Sequence, residues 1–381
     1  MLKRVAPYIL IALLSCNSEI EKSLPDAPIS LESKITSIEL DQLFSKWETF
    51  ELNENEFVSA IVSIRKNNDD EYFFLEGSRK RVFSLSENGE HSLLYNQEGE
   101  GLGQVKEIWD FDIDQDSGDF FLLDRKQVKV LHFSPSFELI EEIKLNKEFA
   151  TSILSMRLLN NNELLFYTSG TSGYKFIKLD LKSQNFESFV PVSPDLKKLG
   201  FGLDKAISNS GNQLTTINFL TGQIDFYSKN VEIIDSLEFT LNSTEISTSD
   251  LQKIRGDQSL FLELVQNNEK PKAHSFGIFE TDDFFIIHYY LGSFMNGKYV
   301  KTLLDKNNWK SRTFEKVLLN GVEISFDFIG VIDNSVFWNI NKEETKLLSK
   351  EEKIKIFEKY AINLGGDQPV ILKGNLKALG D

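Results

Sequence analysis

Residues 99–145 read GEGLGQVKEIWDFDIDQDSGDFFLLDRKQVKVLHFSPSFELIEEIKL. A glycine-rich opening leads into four runs rich in Val, Ile, Leu, Phe and Trp, each parted from the next by turn-forming residues. Short β-rich runs separated this way read as antiparallel strands, and Asp116-Ser117-Gly118 is the clearest hairpin turn among them. The stretch is one four-stranded unit. Similar units recur with a period of about 45 residues, the spacing of a β-propeller blade.

The first unit runs Phe57 to Ile64, Tyr72 to Leu75, Arg81 to Leu85 and Ser92 to Tyr95, turned by Asn67-Asn68-Asp69-Asp70 and Glu87-Asn88-Gly89. Residues 99–145 are the second. A third spans Thr151 to Val190, with Asn160-Asn161-Asn162 at its first turn. A fourth spans Leu203 to Phe239, with turns at Gly211-Asn212, Thr221-Gly222 and Lys229-Asn230. Thr244 to Lys270 departs from the pattern. Its Leu251, Ile254, Phe261 and Val265 fall near helical spacing, with Ser249 as the expected N-cap, so a helical insertion separates units four and five. The fifth unit starts near His274. The sixth contains ISFDFIGVI and SVFWNI, then a charged helical stretch from Lys342 to Tyr360, then PVILKGNL.

The predicted fold is therefore all-β: a six-bladed propeller of four-stranded antiparallel blades over residues 36–381, with a helix before the last strand. The sixth blade is one strand short. The alternating run Lys46 to Leu52 precedes the first blade and is placed to supply it. An open ring would leave a large apolar face in water, so closure by this strand is expected.

The N-terminus carries an address. Lys3 and Arg4 precede an apolar run, Val5 to Leu14, too short to span a bilayer as a mature helix, so residues 1–15 read as a secretory signal. Leu-Leu-Ser-Cys at 13–16 has the pattern of a lipobox. Cys16 is the single cysteine of 381 residues and is placed for lipidation, and it leaves no partner for an internal disulfide. Residues 16–35 mix Ser, Pro and acids and read as a tether. The expected location is the cell envelope, as an outer-membrane lipoprotein facing the periplasm or the cell surface, with the membrane as partner through the lipid.

Formal charge is −16, or −18 once Lys3 and Arg4 leave with the signal. Nucleic-acid binding, which rests on neutralising phosphates, is excluded as an expectation.

Three segments together resemble the six-bladed β-propeller lipoproteins of Gram-negative bacteria, a group related in fold to NHL-repeat propellers. They are LDQLFSKWETFELNENEFVSAIVSI at 40–64, GEGLGQV before IWDFDID, and the terminal GGDQPVILKGNLK. That family usually carries Gly-x-Gly-Pro-Gly-Glu at the second blade's opening; here Leu102 replaces the proline and Gln104 the glutamate. It also tends to have Asn-Pro before the last strand, where this chain has Gln368-Pro369. The resemblance implies binding in the periplasm or at the surface, and no assigned activity.

Gly99, Gly101 and Gly103 lack the Lys-Ser/Thr and the helix that a phosphate cradle needs, so they read as an inter-blade loop. Asp112, Asp114 and Asp116 have the first spacings of a calcium loop, but Ser117 and Leu123 stand where Gly and Glu are required. Asp110, Asp112 and Asp114 would share one strand face and repel. Either the run leaves the sheet early, which is the expectation, or a cation sits among them. His91, His132, His274 and His288 lack zinc spacing. Trp109 and Trp309, near loops, are the candidate ligand platforms. No cofactor is expected, and calcium in the channel is the alternative. Two functions follow. The first is a non-catalytic envelope propeller presenting inter-blade loops to a peptide, glycan or protein; the second is a hydrolase or lyase with a divalent cation in the channel.

Overall fold

The computed structural model describes residues 24–379 except 26, 33, 54–55, 200–206, 211–212, 242–243, 268, 294–295 and 341. The signal segment, Cys16 and the turn at Gly211-Asn212 lie outside the described residues.

Six antiparallel blades follow one another in sequence order. Blade one is Ile61–Lys66, Tyr72–Glu76, Val82–Leu85 and His91–Tyr95. Blade two is Ile108–Ile113, Phe120–Asp124, Lys129–Phe133 and Leu139–Lys144. Blade three is Ile153–Asn160, Glu163–Thr168, Tyr174–Asp180 and Phe186–Pro191. Blade four is Ile207–Ser210, Gln213–Ile217, Ile224–Ser228 and Ile233–Leu237. Blade five is Ala273–Glu280, Phe284–Leu291, Lys298–Asp305 and Ser311–Leu319. Blade six is Phe326–Ile332, Ser335–Ile340, Val370–Leu376 and, from the start of the chain, Phe44–Glu51.

The closing strand is the one expected, two residues longer at its start. Gly374 lies opposite Trp47, and a Cβ on Gly374 would sit 2.7 Å from Phe44 Cε1, so glycine is what lets the Phe44 ring lie flat there. A second clasp joins the same ends. The Val58 N–H donates to Gln368 Oε1 at 2.9 Å, and Gln368 Nε2 donates to the Glu56 carbonyl at 2.8 Å. Gln368, one residue before Pro369, thus ties blade six to the approach of blade one.

Period-two patterning puts apolar side chains on the blade faces, where neighbouring blades press together. Phe50, Phe337 and Ile371 of blade six pack with Ile64 and Phe74 of blade one; Phe73 and Leu75 of blade one pack with Phe111 and Leu122 of blade two. The pattern continues between blades two and three and on through blades five and six, so the core is a ring.

The expected helical segments are present in finer detail, and the cap and the extent of the tether need correction. The insertion after blade four is two helices, Thr248–Ile254 and Gln258–Val265, separated at Gly256 with φ +76°. Its cap is Ser247, not Ser249: Asp250 three residues on completes a capping box, which satisfies two otherwise unpaired N–H groups. The helix expected over Lys342 to Tyr360 is likewise split, into Lys342–Lys346 and Lys350–Tyr360, the second capped by Ser349 and Glu352. Finally, residues 29–32, read as part of the tether, run against the ring. Ile29–Ser30 pairs in parallel with Phe239–Thr240, Ile29 and Leu31 are buried, and Thr36–Glu39 adds a parallel strand to the edge of blade five. Burying those two apolar side chains is what holds this leg down.

Because strands alternate in direction, the helical insertions and the glycine-rich loop emerge on one face of the ring. The turns joining each blade's first and second strands emerge on the other.

Candidate functional site

The first strands of all six blades line the central channel, which holds an open cavity of about 730 Å³. This is within the range of small-molecule sites, roughly 300–1,000 Å³. Its wall takes Ser63 and Arg65 from blade one, Asp110 and Asp112 from blade two, Arg157 from blade three and Ser208 from blade four. Glu280 and Asp282 of blade five and Asp333 of blade six complete it. A chain of net charge −16 places four of its eight arginines, Arg65, Arg79, Arg125 and Arg157, on this side of the ring around blade two.

Strand Ile108–Ile113 explains the arrangement. Phe111 and Ile113 belong to the core between blades one and two, while Asp110 and Asp112 line the channel. Asp110 accepts from Arg65 Nη2 of blade one at 3.0 Å, and from Arg157 Nη1 and the Met156 N–H of blade three, both at 2.9 Å. Asp112 lies 3.6 Å from Arg65 Nε and accepts the Leu158 N–H at 2.7 Å. Burial pushes the Asp112 carboxyl above its usual range, against the pull of Arg65 and Arg157. Two carboxylates from one blade are thereby held between guanidinium groups from its two neighbours.

The rim on the turn side is also tied. Lys66 bridges Asp70, at 2.5 Å, and Asp333 of blade six. Asn68 donates to the Gln115 carbonyl, and the Asp282 N–H donates to Asn334 Oδ1 at 2.7 Å. Glu280, buried, pairs with Lys306 at 2.6 Å.

Residues 28–321 match the family described as DUF5128: 6-bladed beta-propeller. The chain belongs to this family. The three strands of blade six from Phe326 onward complete the DUF5128 ring beyond the matched residues. Among solved structures, a Bacteroides fragilis protein described as exported is similar at TM-score 0.69 and 17% identity, over 92% of this chain and 100% of that one. A member of the DUF4221 family from Bacteroides vulgatus is similar at TM-score 0.53 and 10% identity, over 88% and 97%. These likenesses are of fold. No curated protein matches the sequence.

In this DUF5128 propeller the aspartates expected as one candidate group are divided. Asp112 is in the channel. Asp114 closes the hairpin, accepting the Asp116 and Ser117 N–H groups at 2.8 and 3.2 Å, and Asp116 is exposed. Asp110 and Asp112 stay in the sheet, contrary to expectation, with arginines as the cations beside them, and only Asp114 leaves it at the hairpin. No three His, Cys, Asp or Glu among the described residues are placed to hold a metal ion.

Trp109 lines the cavity, but guanidinium groups of Arg79 and Arg125 already lie over its ring, 4.5 and 3.5 Å from the centroid. Its indole N–H donates to the Leu154 carbonyl at 2.8 Å, so it pins blade two to blade three rather than offering a stacking face. Trp309 sits in the outer turn after Lys298–Asp305, packed against the core of blades three to five and away from the channel. In the glycine-rich loop, Gln104 Oε1 accepts the Gly101 N–H at 2.8 Å and Gln127 Nε2 donates to the Gly99 carbonyl at 2.7 Å, which makes the loop a joint. The histidines are scattered: His91 contacts the Glu56 carbonyl, His132 pairs with Asp119, His274 contacts the Gly292 carbonyl, and His288 is buried in blade five.

Sequence reasoning missed Arg65, Arg157 and Asp282. A signal existed for the first two: Ser63-Ile64-Arg65 and Ser155-Met156-Arg157 occupy the same place in the first strands of blades one and three.

Proposed function

We propose that this propeller is a lipid-anchored, non-catalytic binding protein of the cell envelope that takes a polar ligand in its channel. The observation carrying this reading is the cavity itself, to which all six blades contribute and whose wall is mostly charged, amide and hydroxyl groups. A rigid ring fixes such groups without loop ordering on binding, which favours affinity. The lipobox-like Leu-Leu-Ser-Cys supports the anchor, and among the described residues no helix is long and apolar enough to cross a membrane.

The alternative, a hydrolase or lyase with a divalent cation in the channel, requires carboxylates free to act as ligands. Asp110 and Asp112 do not fit that role, since arginine and backbone N–H groups already hold them.

Two experiments test the proposal. Glycan and peptide arrays are probed with the mature protein and with Ser208→Trp, which sets a large ring into the channel wall. Ligands bound by the first and lost in the second support it, and identical profiles overturn it. For the anchor, Cys16→Ser is expected to move the protein from the membrane to the soluble fraction; retention at the membrane overturns that part.

A further inference from the structure

We propose that the channel's ligand is zwitterionic, a short peptide with free ends whose carboxylate meets Arg157 and whose ammonium meets Asp282. The inference rests on the channel being the binding site and adds what it selects.

Most charges lining the cavity are already matched. Arg65 serves Asp110 and Asp112, Lys66 serves Asp70 and Asp333, and Lys306 serves Glu280. Arg157 is different. Its bonds to Asp110 and to the Met156 carbonyl both leave from Nη1, so the edge formed by Nε and Nη2 has no partner among the described residues. That edge is a planar fork matched to a carboxylate, and Asp110 holds the guanidinium in place for it. The Arg157 side chain is 16% exposed, which keeps it reachable from the cavity it lines while limiting screening.

Asp282 is the opposite case. Its backbone N–H is engaged by Asn334, but its carboxylate has no hydrogen bond or ion pair among the described residues, and it too lines the cavity. Arg157 lies in the second half of blade three's first strand, and Asp282 in the turn after the first strand of blade five. Both therefore belong to the turn side of the ring, with blade four between them. One free guanidinium edge and one unpaired carboxylate face a common space.

A neutral sugar would leave the Asp282 carboxylate without a counter-charge and offer the free edge of Arg157 only neutral acceptors. A polyanionic glycan would satisfy Arg157 but meet Asp282 and the rim carboxylates of Asp70 and Asp333 with like charge. A peptide zwitterion answers both signs at once. Electrostatic complementarity of this kind sets specificity more than affinity.

The test is equilibrium dialysis with mass spectrometry, using three pools of random tripeptides: free ends, N-acetylated and C-amidated, with maltotriose as a neutral control. Retention of free-ended peptides is expected, with either cap weakening it about tenfold or more. Asp282→Asn, at an exposed side chain with no internal partner, is expected to abolish the penalty for acetylation while keeping that for amidation. Arg157→Gln is expected to do the reverse. Because Arg157 also holds Asp110, the Asp282 variant is the arm independent of folding. Capped pools retained as well as the free one, or an acetylation penalty unchanged in Asp282→Asn, overturn the inference. If maltotriose binds in a manner sensitive to Ser208→Trp and the tripeptides do not, the channel remains the site and the zwitterion falls. If retention of every probe ignores Ser208→Trp, the channel reading falls as well.

Discussion

Asp110 of blade two and Arg157 of blade three meet at 2.9 Å, and the same carboxylate takes Arg65 of blade one at 3.0 Å. One side chain therefore joins three consecutive blades at the channel, where apolar packing gives way to polar groups. Removing one member of a buried ionic cluster strands the others, a cost of about 3–5 kcal/mol. Asp110→Asn is expected to lower unfolding free energy by about 3 kcal/mol in urea titration, while Asp116→Asn, on an exposed turn, changes it by less than about 0.5 kcal/mol. Equal effects from both would show that the cluster contributes nothing to holding the ring.

Glu76 makes acid stability testable. It is 1% exposed at the end of blade one's second strand. Burial would raise its pKa, but hydrogen bonds from Arg81 and Ser59, at 3.0 and 2.5 Å, and from Ser78 outweigh that and hold it at about 2. A carboxyl depressed from its unfolded value of about 4.3 stabilises the fold above that value and loses the contribution as pH falls toward 2. The full amount is about 3 kcal/mol. Glu76→Gln should remove this component of the decline in stability between about pH 5 and pH 2, measured by urea unfolding at a series of pH values. A variant with the slope of the wild type would refute the assignment.

Lys301 acts with the opposite sign. It lies 3% exposed in the third strand of blade five, its ammonium 4.7 Å from the centre of the Tyr299 ring. Burial lowers its pKa to about 8, only partly offset by Asp327. The folded state then binds fewer protons than the unfolded chain between about pH 8 and pH 10.4, so this group's contribution makes stability rise with pH across that window. Below it, folding carries the cost of a buried charge, about 3 kcal/mol at most. Lys301→Met keeps the length of the side chain and is expected to stabilise the protein at pH 7 by about 1–3 kcal/mol, with the rise toward pH 10 diminished. Destabilisation at pH 7 would mean that the ammonium has a partner worth more than its burial costs.

What the sequence disclosed and what it withheld follow from the range of each interaction. Hairpins are local: Asn67, Asp114 and Asn160 each accept backbone N–H groups two to four residues ahead, so their turns could be read directly. The cap at Ser247 was only half legible: Asp250 stands at the capping-box distance from it, but Gln252 stands at the same distance from Ser249. The parallel strand Thr36–Glu39 was not legible. Its partner Phe314 is 278 residues from Thr36, and parallel pairing leaves no turn signature between them. The channel cluster sat between these limits. Repeating Ser-x-Arg in the first strands of blades one and three gave the cations a common register. Only closure of the ring shows that both reach for the aspartates of blade two.

Closure itself can be weakened at one carbon. Gly374 in the third strand of blade six makes room for the Phe44 ring, which is 1% exposed and sits edge-on to Trp338 at 5.6 Å. A valine at 374 would push that ring out of the contact where the first and last strands join, and overpacking of this kind costs about 1–3 kcal/mol. Gly374→Val should therefore lower the urea midpoint, whereas Gly366→Ala, with nothing within 4 Å of the added carbon, should leave it unchanged. Phe44→Ala alone is expected to cost about 3–5 kcal/mol through the cavity it leaves. The double variant Phe44→Ala with Gly374→Val should cost less than the sum of the two, because the valine then enters vacated space. Strict additivity would show that the two residues do not compete for the same volume and that the strand from the start of the chain is held by its backbone ladder alone.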